Sequence, residues 1–172
     1  MELVLKQRYL LLPISFSAQE KHILFYRAGT LVFDLTARLD PNAPDTVQTI
    51  DMGRFLGDVL TVRTEPEAAF ELQQTDSADE NPTARESLRP AAHFTAARGW
   101  INDPNGLVFS GGTYHMFFQY NPAGRDWGNM HWGHAVSTDL FHWKERPVAL
   151  FPDESGTMFS GSGIADLSLI HI

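Results

Sequence analysis

Residues 100–106 of this chain read Trp100-Ile101-Asn102-Asp103-Pro104-Asn105-Gly106. Pro104 disfavours the α region for the residue before it, so Asp103 is pushed towards an extended conformation. Asn105 and Gly106 both tolerate positive φ and together predict a tight turn. The pattern therefore predicts that Asp103 ends an extended segment just before a sharp reversal, with its carboxylate fixed at the mouth of a β structure. The alternative is an Asx turn at Asp103, with Trp100 as a core aromatic.

The residues after this heptapeptide predict a short antiparallel sheet. Strand patterns cover residues 107–110, 113–120 and 131–137, and Gly111-Gly112 has the chemistry of a two-residue hairpin. A turn at Thr138-Asp139 leads into a fourth predicted strand at 141–143, and a fresh strand is expected over 158–164. Four short strands followed by another are typical of one blade of a β-propeller and the start of the next.

The first part of the chain has the pattern of a small antiparallel β-sandwich. Apolar residues alternate with polar ones over residues 30–39, and shorter strand patterns cover 9–12, 22–26, 47–52 and 59–64. Residues 73–90 are polar and have almost nothing to bury, so they read as a linker. We therefore predict an all-β chain with an N-terminal β-sandwich domain at 1–75, a linker at 76–90 and the start of a β-propeller domain at 91–172.

Composition excludes several classes of function. The net charge of −8 and the absence of a basic run argue against a nucleic-acid partner. The absence of cysteine removes disulfides, thiolate metal sites and cysteine nucleophiles. No apolar run approaches the length of a membrane-spanning helix, and the N-terminus lacks the pattern of a signal peptide. We expect no membrane insertion, and either a cytoplasmic chain or one whose true start lies upstream.

Aromatic and polar residues after position 99 favour a sugar site. All four tryptophans lie between residues 100 and 143. Indole faces stack on sugar rings, amides and hydroxyls bind ring hydroxyls, and a carboxylate among them can act as nucleophile or base in glycoside hydrolysis. The alternative is that aromatic residues fill the space between blades, and this is the interpretation we prefer for Trp132 and Trp143.

The histidines of this region invite a metal interpretation that the spacing does not support. His131 and His134 are three residues apart, with His142 nearby. On a strand, residues three apart point to opposite faces, and no carboxylate or third histidine completes a ligand set. We predict structural roles for them and no metal site.

The longer pattern resembles glycoside hydrolase family 32, the β-fructosidases that include invertases, inulinases and levanases. The heptapeptide at 100–106 is similar to the nucleophile motif of that family. Four further blocks follow in the family's order: YHMFFQYNP at 114–122, WGNMHWGH at 127–134, DLFHW at 139–143 and FSGS at 159–162. The front domain resembles, more weakly, the small β-sandwich that precedes the propeller in some bacterial levanases.

This resemblance implies a five-bladed propeller and a retaining enzyme, secreted or periplasmic, that needs no cofactor. It would release terminal β-D-fructosyl units from fructans (levan, inulin) or sucrose. Among these substrates, the levanase-like front domain favours exo-acting fructan hydrolysis. Asp103 would be the nucleophile. The resemblance also implies a fructose subsite lined by Asn102, Gln119, Trp127, Phe159 and Ser160.

Two acidic motifs of the family are missing from this chain. The family uses a Glu-Cys motif for its acid/base and an Arg-Asp-Pro motif to bind fructose hydroxyls, and neither occurs here. Four acidic residues near the matching blocks belong to other blocks and cannot take these roles: Asp126, Asp139, Asp153 and Glu154. Leu167–Ile172 reads like a translated sequencing adapter, or else an ordinary apolar strand. We expect an inactive N-terminal fragment of a β-fructosidase; the alternative is a non-catalytic carbohydrate-binding or accessory protein.

Overall fold

The computed structural model describes residues 1–68, 70–77, 87–153 and 155–166. The described chain is almost entirely β, as the sequence predicts, with one 3-10 turn at Gly53–Phe55. Its strands are β1 (Glu2–Val4), β2 (Tyr9–Ile14), β3 (Lys21–Arg27), β4 (Thr30–Ala37), β5 (Thr46–Asp51), β6 (Val59–Glu65), β7 (Gln73–Thr75), β8 (Trp100–Ser110), β9 (Thr113–Asn121), β10 (His131–Ser137) and β11 (Lys144–Leu150). Within the described ranges, no helix is both long and apolar enough to cross a membrane.

The front part is a sandwich of two antiparallel sheets, ordered β1-β6-β3-β4 and β5-β2-β7. Alternate residues of the strands enter a shared core, as the period-two pattern predicts. Strand β4 shows this with Phe33 and Leu35 inside, whereas Leu31 is 42% exposed and does not continue the buried face. The cause is a β-bulge in β4: Phe33 pairs with Phe25 and Leu31 pairs with Tyr26, which leaves Val32 as the extra residue.

The second part is a four-stranded antiparallel meander in the order β11-β10-β9-β8, which is the form of a propeller blade. Gly111 and Gly112 have φ values of 57° and 78°, so they form the predicted hairpin turn between β8 and β9. The meander has a separate small core of Ala96, Phe118, Tyr120 and Ala135. Its first strand contains the whole 100–106 heptapeptide.

The structure corrects three details of this region. Asn105-Gly106 does not reverse the chain, because β8 pairs with β9 on both sides of it and the turn residues form a bulge instead. The fourth strand begins at Lys144 rather than at residue 141, because Asp139 accepts backbone hydrogen bonds from residues 141 and 142 and prolongs the turn. Residues 158–164 form no strand; they meet the blade through separate hydrogen bonds instead of a ladder.

The sandwich and the blade pack directly against each other. Arg54 lies 5.0 Å from the ring centre of Phe33 and 4.7 Å from that of Phe151, and it donates to the carbonyl of Pro152 at 3.2 Å. Ala123, from the loop after β9, is part of the sandwich core. Residues 78–86 of the expected linker lie outside the described residues, so the boundary at 76–90 stays a prediction.

Candidate active site

Asp103 is the extra residue of a β-bulge. In the ladder, Asn102 pairs with Gln119 and Pro104 pairs with Phe118, which leaves Asp103 without an opposite residue on β9. A bulged residue escapes the regular alternation, so its side chain can be aimed in a direction that a straight strand does not offer. Asp103 is exposed. The local sequence therefore produces a fixed, solvent-facing carboxylate, although by a bulge and not by the predicted reversal.

A second bulge lies between Asn105 and Val108, where the backbone comes close to the side chains of neighbouring strands. Gly106 has a φ of 57°, and a Cβ there would lie 2.8 Å from Phe117 and 3.0 Å from Trp132. Only glycine combines this conformation with this approach. The amide of Asn105 donates to the carbonyl of Asp103 at 3.2 Å and so ties the two bulges together.

Residues 158–163, which we name the 158–163 segment, lie across the blade beside Asp103. Hydrogen bonds attach it to the blade at residues 158, 159 and 161: Met158 N to Met130 O at 2.9 Å, Gln119 Nε2 to Met158 O at 2.6 Å, Trp132 Nε1 to Phe159 O at 2.9 Å, and Gly106 N to Gly161 O at 3.1 Å. Gly163 lies so close to Gly106 that a Cβ there would be 2.9 Å from its carbonyl oxygen. The segment therefore has one well-determined path over the strands.

This path brings Ser160 to the carboxylate. Ser160 Oγ donates to Asp103 Oδ2 at 3.0 Å. The hydrogen bond from the Asn102 side chain, followed by the one from Ser160, lowers the pKa of Asp103 below its ordinary value. Trp100 Nε1 donates to Asn102 Oδ1 at 3.1 Å and orients that amide. Asp103 is thus held in one orientation as an ionised carboxylate.

Two aromatic rings border the same place. The ring centres of Trp127 and Phe159 are 6.4 Å apart, and the two residues are 60% and 66% exposed. Gln119 is different, because it is 2% exposed and its amide supports the carbonyl of Met158. Of the six predicted site residues, Asp103, Asn102 and Ser160 are brought together by hydrogen bonds, Phe159 adjoins them with Trp127, and Gln119 lies beneath the 158–163 segment.

Sequence reasoning missed the part that Trp132 plays here. It interpreted this tryptophan as packing between blades, but the indole N–H holds the carbonyl of Phe159 and the ring lies 3.2 Å from the place of a Cβ on Gly161. No local signal could have found this contact, because it joins a side chain to a backbone carbonyl 27 residues further on.

Asp139 and Asp153, two of the other acidic residues that the sequence drew attention to, are engaged in turns of their own. Asp139 accepts from backbone N–H groups and from His142 in its own turn, which lowers its pKa. Asp153 accepts from the N–H of Ser155 in another turn. Glu154 lies outside the described residues.

The histidines occupy the two faces of the blade that strand geometry predicts. His131 is buried, whereas His134 is on the opposite face, where it contacts His115 with a ring-nitrogen separation of 3.0 Å. In the described parts of the chain, no three His, Cys, Asp or Glu side chains are grouped so that they could hold a metal ion.

Comparison with known proteins gives a consistent result for the second part of the chain. Residues 93–172 match the Glycosyl hydrolases family 32 N-terminal domain. This match includes residues 167–172, which the sequence analysis set apart and which lie outside the described residues.

Three curated relatives align with the same part. Levanase from Bacillus subtilis (strain 168) is 59% identical over 81 residues, which are 47% of this chain and 12% of the levanase. Extracellular exo-inulinase from Aspergillus awamori is 54% identical over 81 residues, 44% of this chain and 15% of that protein. Invertase from Schizosaccharomyces pombe is 54% identical over 84 residues, 46% of this chain and 14% of the invertase. The matched part of this chain thus spans only a small share of each relative's length.

Two solved structures are also similar. The exo-inulinase from Aspergillus awamori has 54% identity and a TM-score of 0.41, and the likeness covers 45% of this chain and 16% of that one. A glycoside hydrolase family 32 protein from Bifidobacterium adolescentis has 27% identity and a TM-score of 0.40, and it covers 90% of this chain and 28% of that one.

Proposed function

We propose, from the match of residues 93–172 to the Glycosyl hydrolases family 32 N-terminal domain, that this chain supplies the nucleophile half of a retaining β-fructosidase site. The substrates are terminal β-D-fructosyl units of fructans or sucrose. The names of the aligned relatives, a levanase, an exo-inulinase and an invertase, support this substrate class. The weak resemblance of the front domain to levanases favours exo-acting fructan hydrolysis, with levan as the first substrate to test.

The observation that carries the proposal is the hydrogen bond from Ser160 to Asp103 at 3.0 Å, made across the blade by an otherwise separate segment. A nucleophilic carboxylate must be ionised and fixed in direction, and both conditions are met by the two donors that lower the pKa of Asp103. Asp103 attacks the anomeric carbon of the fructosyl unit and displaces the leaving oxygen. The resulting glycosyl-enzyme is then hydrolysed by water.

The neighbouring residues form the fructose subsite in this proposal. Trp127 and Phe159 offer exposed aromatic faces to the apolar side of the sugar ring. Asn102 and Ser160 bind hydroxyls and hold the nucleophile. Gln119 acts mainly through Met158, since its amide donates to that carbonyl.

Retaining hydrolysis also needs a second carboxyl group about 5–5.5 Å from the nucleophile, which protonates the leaving oxygen and later activates water. The chain has no cysteine, hence no Glu-Cys motif, and it has no Arg-Asp-Pro motif. Asp139 and Asp153 are engaged in their own turns. The 172-residue chain alone therefore does not hydrolyse fructosides; the acid/base has to come from sequence that this chain does not contain.

The second candidate function is non-catalytic carbohydrate binding. It is favoured by the exposed Trp127–Phe159 pair, which needs no acid/base to hold a sugar. The two functions differ in whether Asp103 is required for bond cleavage or only for affinity.

The deciding experiment grafts residues 93–166 into the Bacillus subtilis levanase in place of its aligned segment, so that the relative supplies the missing acid/base. Fructose release from levan, inulin and sucrose is measured. Asp103→Asn in the graft should lower kcat by about 1,000-fold or more, whereas Asp126→Asn, a nearby acid of no assigned role, should leave it near that of the parent graft. If Asp103→Asn keeps a kcat near that of the parent graft, Asp103 is not the nucleophile. Sustained fructose release by the 172-residue chain, abolished by Asp103→Asn, would show that an acid dismissed above completes the site.

A further inference from the structure

The loop between β9 and β10, residues 122–130, carries Trp127 and is held by a residue of the front sandwich. Asn129 Oδ1 accepts from Thr36 N at 2.8 Å and from Thr36 Oγ1 at 3.3 Å. Asn129 Nδ2 donates to Thr36 O at 2.8 Å and to Asn121 Oδ1 at 3.0 Å. Two donors and two acceptor positions exhaust what a side-chain amide can do, so Asn129 is fully committed to these contacts.

Thr36 offers backbone groups that would otherwise lie free at a sheet edge. It belongs to β4, the outermost strand of the β1-β6-β3-β4 sheet, whose only described neighbour is β3. The N–H and C=O of Thr36 pair with the Asn129 amide as they would pair with a further strand. The loop thus adds a side-chain amide to the edge of the front sheet.

Further contacts fix the loop on either side of Trp127. Ala123 is fully buried in the sandwich core, and the Arg125 guanidinium lies 4.1 Å from the ring centre of Phe16. Asn121 Nδ2 donates to the carbonyl of Asp126 at 2.9 Å. Trp127 is therefore an exposed ring on a loop whose backbone is anchored before and after it, largely by the sandwich.

From these contacts we infer that the front sandwich positions the sugar site, with Thr36 and Asn129 as the residues that set the place of Trp127 opposite Phe159. The inference rests on the proposed function, in which Trp127 is a sugar contact. It extends that function to a part of the chain outside the family match, which begins at residue 93. Loss of the Asn129 amide frees the loop from β4 but leaves the Ser160–Asp103 hydrogen bond in place.

The test uses the whole 172-residue chain labelled with 5-fluorotryptophan and observed by ¹⁹F NMR. The chain has four tryptophans, and Trp127→Phe identifies the resonance of Trp127. Asn129→Gly removes the amide without backbone strain, because glycine accepts the φ of 46° found there. Leu140→Gly is the matched control, a second residue of positive φ, 68°, exposed in the turn after β10.

Asn129→Gly should shift or broaden the Trp127 resonance and leave that of Trp100 beside Asp103 unchanged, whereas Leu140→Gly should leave Trp127 as in the parent. Thr36→Val removes only the Thr36 hydroxyl and keeps the two backbone hydrogen bonds, so Trp127 should stay near its parent position. A general structural defect would move all the tryptophan resonances together. An unchanged Trp127 resonance in Asn129→Gly, or a collective change, overturns the inference.

A titration with fructose, followed at the Trp127 resonance, separates this inference from the proposed function. Asn129→Gly should weaken fructose binding by about tenfold, while Leu140→Gly should not change it. Equal affinity in Asn129→Gly and the parent overturns the inference. If the parent chain does not bind fructose, the sugar-site proposal fails, and the Trp127 resonance still decides whether the sandwich positions this loop.

Discussion

His131 makes the contact between blade and sandwich sensitive to acid. It is 1% exposed, with ring centres of Phe33 on the sandwich and Phe151 after β11 at 6.2 and 5.6 Å. Its Nδ1–H donates to the carbonyl of Asn129 at 2.5 Å, and its Nε2 has no hydrogen-bond partner among the described residues. Burial, assisted by the nearby Arg54 charge, lowers the pKa of His131 to about 4.

The size of the effect follows from this shift. The pKa of His131 falls from 6.5 in the unfolded chain to about 4 in the folded one, so the unfolded state binds the proton more tightly. Stability is therefore fully present above the unfolded value and declines as the pH falls towards 4. At about 1.4 kcal/mol per pH unit, the loss attributable to His131 amounts to about 3 kcal/mol by pH 4.

Urea unfolding of the whole chain at about pH 7.5 and about pH 4 measures this loss. His131→Gln is the comparison, because glutamine does not titrate and still carries an N–H that can donate to Asn129. The stability difference between parent and variant should shrink by about 3 kcal/mol on acidification. Other titrating groups, His134 included, cancel in this difference. A difference that stays constant between the two pH values would refute the reasoning.

Three further outcomes are expected. Gly133→Ala should lower the free energy of unfolding by about 1–3 kcal/mol, because a Cβ there would lie 2.1 Å from the ring of Phe118. Thermal unfolding measures this, and a Tm equal to that of the parent would contradict it. Burial raises the pKa of Glu145, so the folded state loses stability as the pH rises above the ordinary pKa of a glutamate and the buried carboxyl has to ionise. Glu145→Gln should therefore raise the Tm near neutral pH and leave it unchanged near pH 3. An equal rise in Tm at both pH values would contradict this. Limited proteolysis should cut first within 76–90, and earliest cuts within 30–39 would place the domain boundary elsewhere.

Much of the fold can be predicted from the local sequence pattern. Period-two alternation predicts the strands of the sandwich, and Gly111-Gly112 predicts the hairpin between β8 and β9 because each residue accepts positive φ on its own. The resemblance of the 100–106 heptapeptide to a nucleophile motif also singles out Asp103. These features depend on residues that are adjacent in the sequence, so they can be predicted without knowledge of the tertiary structure.

The places where the prediction was wrong are those where a distant partner decides the outcome. Asn105-Gly106 carries a strong turn signal, yet it forms a bulge because β9 pairs with β8 before and after it. Residues 158–164 have a strand-like composition, yet single hydrogen bonds to the blade replace the expected ladder. A local φ preference permits the backbone to bend at such a point, and the strand that pairs with it determines whether the bend becomes a turn or a bulge.

The sequence by itself determined an all-β chain, its main hairpin turns and the carboxylate on which the proposed chemistry depends. Only the tertiary structure placed Ser160 on Asp103 across 57 residues and Asn129 on Thr36 across 93. The physical reason is the range of the interactions. Backbone preferences and side-chain alternation act between neighbours and are written in order along the chain, whereas a hydrogen bond between distant residues exists only after strand register and sheet packing have brought its two atoms together.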